Sequence, residues 1–184
     1  SQTAPRRGTE IAKLDGSLGT VKAVATADRR RQVMGKVCIE CHSKDFAQNF
    51  LQRFDDTIEY YNETFAKPAQ ALMAALYDLE LLTPAPFDDA IELTYWRLWH
   101  DEGTRARHGA AMMSPNLAGW EGMHQVAQRF YSEFIPQVRE IAGKQQADEL
   151  IEQHVLSLEQ HSWLADPTRP NPVLGYGIGQ YPDE

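Results

Sequence analysis

Cys38-Ile39-Glu40-Cys41-His42 sets two thiols three positions apart and an imidazole directly after the second. That C-x-x-C-H spacing suits covalent attachment of a c-type haem: the thiols add across the two vinyl groups, and the next residue reaches the iron from the same turn. Two other chemistries use a C-x-x-C pair. A thioredoxin-like dithiol calls for a strand before the motif within a βαβ context, whereas Thr26 to Lys36 is polar and basic, with Asp28-Arg29-Arg30-Arg31-Gln32 at its centre. A zinc site needs two further ligands at tight spacing, and the chain has no third cysteine. One haem c is therefore the expected cofactor, with a redox dithiol or zinc as the alternatives.

A second chemistry-bearing stretch runs from Tyr95 to Met113, where Trp96, Trp99, His100, Asp101, Glu102, Arg105, Arg107 and His108 crowd together. Charges mixed this densely with tryptophans predict a buried polar site, because charged groups near apolar walls need partners. Haem propionates would partner Arg105 and Arg107. His100 or His108 would supply an axial nitrogen to an iron.

The elements that position these residues read as helices. Phe46, Phe50, Phe54, Ile58, Tyr61 and Phe65 recur at spacings of three and four, forming one apolar helical face. Pro68 interrupts the run, and Ala69 to Leu82 resume it, so one long helix with a kink near Lys67-Pro68, or two helices, is expected. Thr83-Pro84-Ala85-Pro86 breaks the chain. The next helix starts after Pro86, capped by Asp88 or Asp89, and passes through Ile91, Leu93, Trp96 and Trp99, with Gly103 and Gly109 leaving its later part open. Ser114-Pro115-Asn116 caps a helix over 117–141, Gly143 closes it, and a last helix covers 145–164.

No segment alternates convincingly as a strand. The fold class is mainly α: long packed helices following a c-type haem-binding turn, in a multihaem cytochrome architecture. Residues 1–25, with Gly8, Gly16 and Gly19 among small polar neighbours, read as an extended arm ordered by a partner surface. Residues 26–165 form the haem-bearing helical domain. Residues 166–184, with four prolines and three glycines, read as an irregular tail.

Composition bounds the function. A net charge of −8 over 184 residues argues against nucleic acid, whose phosphates need clustered Lys and Arg. The one basic cluster, Arg29-Arg30-Arg31, reads as a solvated face, or else as an anchor for propionates or for an acidic neighbour. No apolar run reaches the length of a membrane span. Ser1 to Arg7 lack an apolar signal core, so the sequence is expected to be that of a mature chain.

The stretch Trp99-His100-Asp101-Glu102-Gly103-Thr104-Arg105-Ala106-Arg107-His108-Gly109-Ala110-Ala111-Met112-Met113-Ser114-Pro115-Asn116 resembles the C-terminal part of the hydroxylamine oxidoreductases and their octahaem relatives. There, a last C-x-x-C-H and long helices precede a segment close to W-H-H-E-G-R-R-A-R-H-G-A-x-M-M-x-P-D. The resemblance extends from about Arg31 to Ala142. It implies a trimeric multihaem enzyme, matured in the periplasm or an equivalent compartment, in which electrons leave a catalytic haem along bis-histidine haems. In oxidising members a tyrosine of the adjacent subunit bonds covalently to the catalytic haem, and Tyr95 is the matching position. By the same resemblance Cys38 and Cys41 hold a haem, His42 is its proximal ligand, and His100 and His108 are distal ligands to this or neighbouring haems. Two imidazoles leave no open iron site, so this chain's own haem conducts electrons and does not catalyse.

The chain departs from the family pattern at Asp101, Thr104 and Asn116, and a later W-H-G reads Trp120-Glu121-Gly122 with a histidine at His124. His124, His154 and His161 are expected to be ordinary surface or packed histidines. The chain carries one haem motif where the family carries many, so it matches a small subunit of a split enzyme, or a cleaved piece of a longer one. The expected function is that of a subunit in a hydroxylamine-oxidoreductase-like complex oxidising hydroxylamine or hydrazine. Its partners would be a larger multihaem subunit in a threefold hetero-oligomer and a soluble electron acceptor. A monohaem electron-transfer cytochrome using Met112 or Met113, and a subunit of a reductive nitrite or hydroxylamine reductase, are the alternatives.

Overall fold

The computed structural model describes residues 9–12, 18–21 and 26–165; the expected tail lies outside the described residues. The chain is mainly α-helical. An antiparallel pair, β1 (Thr9–Ala12) and β2 (Leu18–Val21), joined in the register Thr9 to Val21, corrects the expectation that no segment forms a strand. Four-residue strands are too short for an alternating hydropathy pattern to declare itself.

The chain divides into two compact units, Ser1–Thr57 and Ile58–Glu184. The division falls inside the stretch 26–165 expected as one domain, and burial accounts for it. In the first unit Ala47 is the one buried apolar residue among those described. There α1 (Ala27–Cys38) starts at Thr26, whose hydroxyl accepts from the Arg29 N–H at 3.2 Å. It is followed by α2 (Lys44–Tyr61). The Arg31 guanidinium forms an ion pair with Asp55, its second nitrogen donating at 2.6 Å. The basic cluster thus splits: Arg31 is tied down, while Arg29 and Arg30 face solvent.

The second unit has a contiguous core of Tyr61, Phe65, Leu72, Leu76, Phe130, Phe134, Val138, Ile151 and Val155. The Phe65 and Phe130 rings meet edge to face at 5.5 Å between centroids. Its helices are α3 (Lys67–Asp78), α4 (Ala90–Arg97), α5 (Gly103–Ala111), α6 (Pro115–Ala118), α7 (Gln125–Arg129), α8 (Ile135–Ala142), α9 (Lys144–Ile151) and α10 (Ser162–Ala165). The α3 helix stops four residues short of the expected Leu82, where Glu80 takes a positive φ of 55°. Asp89 caps α4, its N–H donating to Glu92 at 3.3 Å. Gly143, at φ 73°, separates α8 from α9 as the sequence suggested.

The helical runs are punctuated by π turns at Asn62–Ala66, Leu98–Glu102, Gly119–His124, Phe130–Phe134 and Glu152–Leu156. Two of them end two residues before a proline, at Pro68 and Pro136. A proline within a helix removes an N–H and crowds the carbonyl four residues back, and a widened turn relieves the crowding. The Pro68 interruption is therefore absorbed by the π turn ahead of it. The carbonyl that Pro68 deprives of its α-helical donor is Thr64's, and it accepts instead from His161 Nε2 at 2.7 Å. Since a carbonyl only accepts, Nε2 carries the proton and Nδ1 accepts from the Tyr131 hydroxyl at 2.8 Å. His161 is wholly buried, stacked on Phe130, and burial pushes its pKa down.

Candidate functional site

The Cys38–His42 motif sits where α1 unwinds. Cys38 ends the helix, and its carbonyl accepts from the Cys41 N–H at 3.3 Å and the His42 N–H at 3.0 Å, closing a tight turn. Both thiols are free, Cys38 half-buried and Cys41 exposed. The exposed His42 ring stacks on Phe46 at 4.6 Å. Around this turn Val33, Met34, Val37, Ile39 and Phe46 are 46% to 62% exposed, an apolar surface that the described residues leave largely open. Free thiols, an accessible imidazole and uncovered apolar side chains on one short stretch fit a haem, whose macrocycle is itself a large apolar plate. Among the described residues no three His, Cys, Asp or Glu side chains converge to hold a bare metal ion.

In the second unit the stretch from Tyr95 to Met113 forms the end of α4, a π turn and α5. Its buried polar site is not at the histidines. Glu102 is the buried acid, and it pairs with Arg129 at 2.7 Å, a partner that lies 27 residues away and that no local pattern announces. His100 and His108 are exposed, because the π turn and the following helix turn Glu102 and Ala106 inward. Trp96 lies flat on the His100 ring, 4.4 Å between centroids at 11°, and Trp99 meets it edge-on.

Side chains hold the π turn open. The Leu98 carbonyl accepts from the Tyr61 hydroxyl at 3.0 Å as well as from the Gly103 N–H. The Trp99 carbonyl accepts from Thr104 at 3.1 Å and from Arg107 at 2.9 Å, and Arg107 also donates to the Gly103 carbonyl. Arg107 further lies over the Tyr61 ring at 5.3 Å. Arg105 pairs with Asp101 at 2.6 Å and donates to Gln125 at 3.0 Å. Each arginine expected to meet propionates is thus already engaged within the chain and would have to share its donors.

Gly103 and Gly109, which left the helix uncertain in sequence, both lie inside α5. A Cβ at Gly109 would overlap the backbone of Ala118, so glycine there permits α5 and α6 to touch backbone to backbone. Gly122 does the same against Ala106, where a Cβ would come within 2.5 Å of Cα.

Tyr95 is half-buried, tilted against Phe134 at 6.3 Å. It lines a cleft of about 190 Å³ together with Tyr61, Asn62, Gln70, Trp99 and Arg107. Burial raises the Tyr95 pKa, and raises that of Tyr61 to about 12. The cleft admits a small group or the edge of a larger one beside the phenol.

The described helices define a mainly α protein, and no helix among them is long and apolar enough to cross a membrane. No protein-family model, no curated protein and no solved structure matches this chain.

Proposed function

We propose that this chain is the small subunit of a split, hydroxylamine-oxidoreductase-like complex that oxidises a small nitrogen compound, hydroxylamine or hydrazine, outside the cytoplasm. The observation that carries the reading is the Cys38–His42 turn, with two free thiols and an imidazole amid uncovered apolar side chains. When attached, the haem supplies a one-electron couple. Cys38 and Cys41 anchor it, and His42 holds the iron on its proximal side.

Tyr95 supports the enzymatic half of the proposal. Its phenol is half-buried and borders a cleft of about 190 Å³. In the proposed complex it bonds to the catalytic haem of a larger multihaem subunit, and the assembly is a threefold hetero-oligomer passing electrons to a soluble acceptor. His100, braced by Trp96, and His108 are the axial nitrogens offered to this or neighbouring haems.

Intact mass under denaturing conditions on the native protein tests this. The expected result is a chain carrying one haem and joined covalently to a second haem-bearing polypeptide, the joint disappearing in Tyr95→Phe. A free chain with one haem, unchanged in spectrum and turnover by Tyr95→Phe, overturns the cross-linking role. The exposed Met112 and Met113 favour a second reading, a monohaem carrier with methionine as distal ligand. Near-infrared magnetic circular dichroism separates His/Met from His/His iron.

A further inference from the structure

The loop 79–89, between α3 and α4, is fastened at several points. Leu82 is buried beneath it, and the Thr83 hydroxyl donates to Asp88 at 2.6 Å while accepting from the Ala85 N–H at 3.2 Å. Prolines at 84 and 86 restrict the backbone further. Yet the loop holds Phe87 at a φ of 60°, a region that bulky side chains rarely adopt, and leaves it 61% exposed. Leu79 and Leu81 are exposed too, as is Leu93 on α4. Nothing in the core of the second unit is gained by a strained backbone that shows an aromatic ring to water. A stiff loop presenting such a ring has the form of an interface anchor, because little freedom is lost on contact.

The charge around this apolar surface has one sign. From Pro68 to Trp96 the chain holds five acids, Asp78, Glu80, Asp88, Asp89 and Glu92, and no Lys, Arg or His. A surface that fits it is apolar and basic. The first unit carries one: α1 exposes Arg29, Arg30 and Lys36 beside Val33, which is 47% exposed. At about 100° per residue, Arg29, Val33 and Lys36 share the side of α1 that faces away from Cys38 and Arg31. That side stays free when the Cys38–His42 turn carries its group. Each copy of the chain therefore displays both an acidic apolar surface and a basic apolar one.

From this complementarity we infer that the chain associates with further copies of itself, the 79–89 loop of one copy seating Phe87 against the Val33 side of α1 in the next, with the acids around the loop facing Arg29, Arg30 and Lys36. Two different surfaces meet, so the contact is head to tail and builds a ring or a filament, not a twofold pair. The inference stands apart from the haem reading, because neither surface includes a thiol or the imidazole of the motif.

Sedimentation of the full chain as purified, at concentrations up to about 100 μM, tests this. The expected result is self-association at low salt that weakens as salt screens the charges. Asp78→Lys/Glu80→Lys reverses charge beside the loop without touching the Thr83–Asp88 bond or the Asp89 cap, and Arg29→Glu/Arg30→Glu reverses it on α1. Each double variant alone associates at least tenfold more weakly, with helical circular dichroism unchanged. Mixed in equal amounts the two associate again, because each reversed surface meets its complement on the other chain. Phe87→Ser weakens association at least tenfold. A wild-type chain that stays monomeric at low salt overturns the inference. So does association that survives either charge reversal, and so do two variants that remain apart when mixed.

Discussion

The two units of this chain treat apolar side chains in opposite ways. The second turns them inward, closing Phe65, Phe130 and Phe134 into a core edged by Leu72, Val138 and Val155. The first buries Ala47 and leaves Val33, Met34, Val37, Ile39 and Phe46 in water. A unit that cannot remove its own apolar surface from solvent draws its order from whatever covers that surface. On the proposed reading the Cys38–His42 region is a mount for a haem, whereas the region from Tyr61 to His161 closes a core of its own.

Removing the proposed haem attachment should separate the units most sharply. In Cys38→Ser/Cys41→Ser, covalent haem is lost entirely by mass, amide-exchange protection over 27–57 collapses, and protection over 61–155 persists. Full protection of 27–57 in that variant would break the contrast. Phe130→Ala attacks the opposite side: a wholly buried ring leaves a cavity, and the second unit loses about 3–5 kcal/mol in denaturant unfolding. A loss below about 1 kcal/mol would mean that this core is looser than its packing implies.

His161→Phe keeps volume but orphans the Thr64 carbonyl and the Tyr131 hydroxyl, and should cost about 1–3 kcal/mol. It should also flatten the pH dependence. Burial depresses the His161 pKa, so the unfolded chain takes up a proton near 6.5 while the folded one does not. The wild-type second unit therefore keeps this contribution above pH 6.5 and loses it as the pH falls from there through the depressed folded value. Melting curves of the two proteins between pH 8 and pH 5 check the sign. The smallest effect belongs to Arg31→Ala, which removes a half-exposed ion pair in the first unit and should cost about 0–1 kcal/mol, less in high salt.

Much of the helical order was legible, because apolar residues at spacings of three and four mark a buried face whatever covers it. The break at Thr83–Pro86, the cap at Asp89 and the stop at Gly143 follow from backbone chemistry and appear as expected. The ends of α3 and the strands β1 and β2 were not legible, since a few residues carry too little periodicity. The π turns escaped too, although the prolines at 68 and 136 signal two of them, each four or more residues downstream of the turn's start. In the segment from Tyr95 to Met113, composition announced a buried charge without saying which. Glu102 is chosen by the widened turn, and its partner Arg129 by tertiary packing.

The Thr64 carbonyl, left without a helical donor by Pro68, waits for a side chain 97 residues further along. As the chain emerges during synthesis, α2 and α3 can form long before that donor exists, so the interior beside Phe65 stays open until His161 arrives. Closure of the second unit thus depends on residues as late in the chain as His161. A chain ending before residue 161 would hold its helices yet remain unsealed, and a protease cutting beyond that point would find the interior already shut.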